Sequence, residues 1–152
     1  WVTLMSAGQC LGVRAGNPNL IERIEAGLLS FGSDMTTAHT PFEAGLTKYC
    51  NLDTVKGFLG HEALSKLTEP AKQIRALEVG GDPVPSIQHP WPLLDDSGSV
   101  VGHISSSTWS PEFKTNVTIS MIHRSHWDAG TKLTAKIPDG DRPATVRSGF
   151  WI

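Results

Sequence analysis

Gln73-Ile-Arg-Ala-Leu-Glu-Val79 ends on Gly80-Gly81-Asp82-Pro83, and from there short β-like runs alternate with turn residues. Pro92–Leu94 precedes Asp95-Asp96-Ser97-Gly98, and Val100–Thr108 precedes Ser110-Pro111. Asn116–His123, Thr131–Ile137 and Ala144–Phe150 complete the set. Pro138-Asp139-Gly140 supplies hairpin chemistry, because Pro presets one turn dihedral and Gly accepts a positive φ. Six short runs at a spacing of roughly ten residues predict a small antiparallel barrel or sandwich. The composition changes near Thr68–Ala71, so the reading divides the chain into residues 1–69 and 70–152.

Upstream of that boundary the period is helical. Asn17 is a good N-cap and Pro18 suits the first helical position, where its missing N–H costs nothing. Leu20, Ile21, Ile24 and Leu28 recur at helical spacing and predict one buried face over 17–26. Gly27 is a natural stop, since it accepts the left-handed conformation that closes a helix. Val2 to about Gly12 predicts a first helix with Val2, Leu4 and Met5 on its apolar side. Leu28–Phe31 reads as a short extended piece and 32–40 as a polar loop. Thr47–Leu52 alternates like a strand. Gly57–Leu67 predicts another helix, with Phe58, Leu59, Ala63, Leu64 and Leu67 on one face.

Composition excludes several classes. The 152 residues are 39% hydrophobic and 18% charged, as in ordinary globular proteins. A net charge of -2 gives no electrostatic footprint for nucleic acid or an anionic membrane. No apolar run approaches the ~18 residues of a membrane span. Cys10 and Cys50 are too few for a disulfide framework and read as reduced thiols, which implies a cytoplasmic protein. Trp1-Val-Thr-Leu-Met is neither a signal nor a transit peptide, and the chain reads as cut from something longer. The six histidines are scattered, and His123 and His126 lack a Cys or acid at ligand spacing, so no metal site is expected. Ser105–Ser107 lacks the Gly-x-Ser-x-Gly setting of a nucleophile. Asn116-Val-Thr matches a glycosylation pattern but opens a predicted strand.

Four motifs carry a resemblance: Arg23-Ile-Glu-Ala-Gly27, Phe31-Gly-Ser-Asp34, Pro41-Phe-Glu-Ala-Gly-Leu46 and Phe58-Leu-Gly-His-Glu-Ala-Leu64. In this order they resemble the folate-dependent aminomethyltransferase family, which includes the glycine-cleavage T-protein. Asn17–Ser30 is most similar to its dimethylsulfoniopropionate demethylase branch. Gly102-His-Ile-Ser-Ser-Ser-Thr-Trp-Ser-Pro111, Asn116-Val-Thr-Ile-Ser-Met121, Gly130-Thr-Lys-Leu133 and Phe150 resemble the family's C-terminal β domain. The resemblance implies an α+β chain. Residues 1–69 would be the α/β remnant of a ferredoxin-like, folate-binding middle domain, and 70–152 a six-stranded antiparallel β barrel or sandwich.

By the same resemblance the parent enzyme transfers a one-carbon group from a small amine or sulfonium donor to tetrahydrofolate. The family's catalytic aspartate and most pterin contacts lie upstream of Trp1. No catalytic residue is therefore assigned here, no turnover is expected of the chain alone, and its folate binding is expected to be weak or absent. The alternative is a non-catalytic module that keeps the family fold for docking, or forms a homo-oligomer through the exposed middle-domain remnant.

The candidate cofactor-binding residues are Asn19, Arg23, Glu25, Glu43 and Trp109. Asn19 stands where several aminomethyltransferases carry a folate-contacting arginine, and a neutral amide cannot grip a carboxylate as a guanidinium fork does. That departure counts against glycine-cleavage activity, and Phe31 in place of the usual tyrosine removes a hydroxyl. Arg23 and Glu25 lie about 200° apart around a helix and cannot share a face. They either edge a folate or substrate cavity or form a structural ion pair pinning helix to loop. Glu43 either positions its loop by accepting backbone amides or touches ligand. Trp109, read in a polar loop, either stacks on a pterin-like ring or plugs the end of the barrel.

Overall fold

The structure, a computed structural model, describes residues 1–16, 19–54, 56–67 and 69–152. Six strands form a closed barrel: β1 (Lys72–Val79), β2 (Trp91–Leu94), β3 (Val100–Ser110), β4 (Thr115–His123), β5 (Lys132–Ile137) and β6 (Gly140–Val146). Their order around the barrel is β1-β4-β3-β2-β5-β6, with antiparallel neighbours throughout. Pairing of Leu77 with Val146 and of Val79 with Ala144 closes the ring and removes exposed sheet edges there. Five of the six strands fall where the alternating runs predict them.

The last strand is displaced from the expected 144–150. Ile137 pairs with Gly140 across the two-residue loop Pro138-Asp139, and Gly140 has φ +119°. So tight a turn starts the return strand at once, and Val146 is its last residue. Phe150 instead leaves the sheet.

The buried side chains form two layers. Leu77, Val79, Trp91, Leu93, Ile104, Ile122, Leu133 and Val146 belong to one cluster. A second joins Ile24 to Ile74, Val117, Ile119 and Met121, with Leu29, Phe150 and Trp151 packed against it. β4 is buried along nearly its whole length because its two faces meet different partners. Val117, Ile119 and Met121 take Ile24, while the alternate set is the polar Asn116, Thr118 and Ser120, all fully buried. Those polar groups are satisfied locally. Thr118 Oγ1 donates to the Leu77 carbonyl, and Asn116 Nδ2 donates to the carbonyls of Val79, Gly81 and Asp82. Asn116 thus clamps the turn after β1, with no exposed amide for a glycan.

Residues before the barrel form three short helices, α1 (Val2–Gly8), α2 (Leu20–Glu25) and α3 (His61–Ser65). Among the described residues no strand precedes β1; Phe31 and Met35 make one isolated bridge. The first helix holds but is shorter than 2–12, passing into a 3-10 turn over Gln9–Leu11 and stopping at Gly12. The start expected at Asn17 and Pro18 lies outside the described residues; α2 begins at Leu20 with Asn19 as its cap. Of its predicted apolar face Ile24 is fully buried, whereas Leu20 and Leu28 are exposed.

Two further expectations are corrected. Thr47–Tyr49 is a 3-10 turn rather than a strand, and its residues are exposed with no ladder to join. Gly57 and Gly60 both take positive φ, so the second predicted helix shrinks to α3 and leaves Leu59 fully exposed.

Candidate functional site

The sequence closes α2 in a way that aims Arg23. Ala26 ends the helix, the Gly27 N–H donates to the Ile24 carbonyl, and the Leu28 N–H donates to the Arg23 carbonyl. This is the Schellman pattern, and Gly27 supplies its left-handed residue at φ +68°. Gly27 is doubly required, since a Cβ there would lie 2.4 Å from the Phe150 ring. The reversal brings residues 28–35 back beside the helix. A turn bonded from the Asp34 N–H to the Ser30 carbonyl then points Asp34 inward.

Arg23 and Asp34 form the centre of the site. Arg23 Nη1 donates to Asp34 Oδ2 at 2.7 Å and to the Leu28 carbonyl at 2.9 Å. Its Nη2 donates to Ser106 Oγ at 2.8 Å. Asp34 Oδ1 accepts from Ser105 Oγ and Ser106 Oγ, both at 2.7 Å, and Oδ2 also accepts from the Ser30 N–H. The Asp34 side chain is fully buried, while 23% of the Arg23 side chain is exposed. A buried carboxylate needs such donors, because an unpaired charge there is expensive.

Two adjacent serines of a regular strand would face opposite sides. Here the β3–β4 register shifts between Ile104 and Ser106, so Ser105 is an extra, bulged residue. The bulge turns both hydroxyls onto one carboxylate.

Beside this cluster lies a hollow of about 370 Å³, edged by Arg23, Gly32, Ser33, His89 and Ser105–Ser107. Ser107 Oγ is buried and has no hydrogen-bond partner among the described residues. An orphaned buried hydroxyl of this kind asks for an explanation.

The candidate residues separate. Asn19 Oδ1 accepts from the Glu22 N–H at 2.8 Å as the cap of α2, and Asn19 and Arg23 share an adjoining apolar groove with Leu28, Leu29 and Ile152. Glu25 points elsewhere, as the helical geometry requires. It is 4% exposed, and its Oε1 is buried with no partner among the described residues. The Glu25 backbone carbonyl accepts from the N–H groups of Trp151 and Ile152, which ties the end of the chain to α2. Glu43 Oε2 accepts from the Thr40 N–H, and Thr40 Oγ1 accepts from the Glu43 N–H, a reciprocal capping box. Trp109 lies within β3 opposite Asn116 rather than in a loop, and it lines none of these hollows.

In the sequence Asp34 stands out only as the end of a motif, and Ser105 and Ser106 only as part of a serine run without a nucleophile's setting. An acid closing the Phe31-Gly-Ser-Asp34 turn and three consecutive serines inside a strand were the available signals.

The glycine cleavage T-protein C-terminal barrel domain matches residues 72–150. Dimethylsulfoniopropionate demethylase DmdA of Ruegeria pomeroyi is 52% identical over 153 residues, covering 99% of this chain and 41% of that protein. An aminomethyltransferase of a Synechococcus strain is 32% identical over 126 residues, covering 82% of this chain and 33% of its own length. The crystal structure of the glycine cleavage system aminomethyltransferase T from Bartonella henselae superposes with a TM-score of 0.74 at 23% identity, over 86% of this chain and 37% of that one. The chain thus spans between about a third and two fifths of these relatives. With a six-stranded closed barrel over the matched residues, the chain belongs to the glycine cleavage T-protein family, whose C-terminal barrel domain it carries.

Proposed function

We propose that this chain is the C-terminal part of a tetrahydrofolate-dependent one-carbon transferase, closer to dimethylsulfoniopropionate demethylation than to aminomethyl transfer. The 52% identity to the Ruegeria demethylase along nearly the whole chain supports that choice. So does Asn19, a helix cap whose neutral amide stands in place of a carboxylate-gripping arginine. In this reading residues 1–69 are what remains of a folate-binding middle domain, the barrel is its neighbour, and the protein is cytoplasmic. Both cysteines are free thiols, which suits that compartment.

The observation carrying the proposal is the preorganised Arg23–Asp34 cluster beside a hollow lined in part by Ser105–Ser107. Tetrahydrofolate, when bound, supplies the nitrogen that takes up the one-carbon unit. The hollow lies at the small end of the ~300–1,000 Å³ typical of ligand sites, enough for a ring-bearing portion of the cofactor. The exposed edge of Arg23 is the group placed to hold a polar ring edge, with Ser33 and His89 also lining the hollow. Asp34, Ser105 and Ser106 keep Arg23 from swinging, so no side-chain ordering remains to be done when ligand arrives.

Calorimetric titration with tetrahydrofolate tests this. Binding is expected when the chain is mixed with the N-terminal portion of a family member, and weak or no binding with the chain alone. Silence in both titrations would remove the folate reading. Detectable demethylation by the chain alone would overturn the expectation that it needs the other portion for turnover.

A second reading, a docking or self-associating module, is favoured by one observation. Trp1, Val2, Leu4 and Leu11 are 69–80% exposed along α1 and the turn after it. Apolar area of that kind favours association. Sedimentation velocity at two concentrations discriminates: a sedimentation coefficient that rises with concentration supports the module, and a strict monomer counts against it.

A further inference from the structure

β1 extends beyond its partner β6. Pairing between them covers Leu77–Val79, and the edge before it is bonded elsewhere. The Ile74 N–H donates to the Glu43 carbonyl, and the Arg147 N–H donates to the Ala76 carbonyl. A cavity of about 820 Å³ opens along this part of β1 and shares no lining residue with the hollow beside Ser107. Lys48, Arg75 and Arg147 line it against a single carboxylate, Asp128, among the described residues.

Arg75 is unusual among these. Its guanidinium lies over the Trp127 ring, 4.9 Å from the centroid. Nε donates to the Trp127 carbonyl at 3.2 Å, and Nη1 donates to the Ile74 carbonyl at 3.0 Å and to Gln73 Oε1. All three acceptors are neutral. No carboxylate comes within ion-pair distance of Arg75 among the described residues, and Nη2 keeps both donors unspent. Burial pushes the guanidinium below its ordinary range, with Asp128 acting in the opposite sense. A half-buried cation normally acquires a counter-ion, because desolvation without one is unfavourable. Here neutral oxygens fix its orientation, and Asp128 offsets its charge only from beyond ion-pair distance.

We infer that this cavity is a binding site for a carboxylate-bearing small molecule with a flat apolar body. Arg75 Nη2 receives the carboxylate, Lys48 supplies the attracting field, with Arg147 adding less because Glu78 pairs it at 3.5 Å, and the face of Tyr49 away from Lys48 offers the flat contact. A guanidinium suits this task because it presents oriented donors and stays charged. The inference goes beyond the folate reading and does not depend on it.

Benzoate, with benzamide as its neutral counterpart and inorganic phosphate as a rival anion, probes the site in the intact chain. The reporters are the NMR signals of Arg75 Nε–H and the Trp127 indole N–H. Benzoate is expected to shift both saturably, and to bind at least about tenfold more tightly than benzamide, roughly the worth of one charge-assisted bond. Arg75→Gln should erase that preference and leave benzamide unchanged. Equal binding of benzoate and benzamide overturns the proposal, as does benzoate binding that survives Arg75→Gln. Phosphate binding more tightly than benzoate overturns the carboxylate assignment. Should Arg75→Gln fail to fold, Lys48→Gln, on the exposed turn before Tyr49, tests the same field. A several-fold loss of benzoate affinity supports the site, and no loss overturns it.

Discussion

Asp34 ties three segments of the structure together. Its carboxylate accepts from Arg23, Ser30, Ser105 and Ser106, and so joins α2, the following turn and β3. Truncating it leaves the Arg23 guanidinium facing two neutral groups, the Leu28 carbonyl and Ser106 Oγ, that cannot neutralise it. Asp34→Ala is therefore expected to destabilise the chain by about 3–5 kcal/mol, the usual cost of breaking a buried pair from one side. Ser105→Ala and Ser106→Ala each remove one neutral donor and should cost about 1 kcal/mol. Urea unfolding followed by tryptophan fluorescence measures all three. An Asp34→Ala loss no larger than that of either serine variant would mean that the charge pair is not what holds α2 to the barrel.

Elements differ in how far their own residues determine them. The barrel strands were legible because period-two alternation and turn residues are local signals, and closure satisfies whatever the pattern proposes. The segment before the barrel was legible at its stop signals, such as Gly27, and much less in its faces. Leu20, Leu28 and Leu59 have helical spacing yet are exposed, because burial depends on what an element packs against, and Ile24 alone of that predicted face reaches full burial on β4. The Arg23 site was half legible. Arg23 stood out by its motif, but a bulge at Ser105 cannot be read from an alternation it interrupts. At six residues α2 is too short to stand alone, so its cap has a measurable weight. Asn19→Ala should cost about 1 kcal/mol in urea unfolding, and Asn19→Ser nearly nothing, since serine caps as well. Equal losses from both substitutions would show that Asn19 acts through something other than the cap.

Across the whole molecule, a titratable group on the sheet couples stability to pH. His103 lies on β3 in register with Met121, near the Lys72–His123 pair of β1 and β4. Burial lowers its pKa below the ordinary 6.5, and Lys72, His39 and His123 push the same way. The folded chain therefore holds His103 neutral at a pH where the unfolded chain has begun to protonate it. Between the lowered folded value and 6.5 the unfolded state binds more protons, so stability must fall as pH falls through that window. The loss levels off below the folded value, and above about pH 7.5 His103 contributes no slope. Thermal unfolding at a series of pH values from about 7.5 to about 5 reads this directly. The melting temperature should decline below pH 6.5, and His103→Gln, which keeps a polar side chain without titrating, should flatten the decline. An undiminished slope in His103→Gln would assign the dependence to other groups. A flat profile in the parent chain would mean that His103 is protonated in the fold as readily as in the unfolded chain.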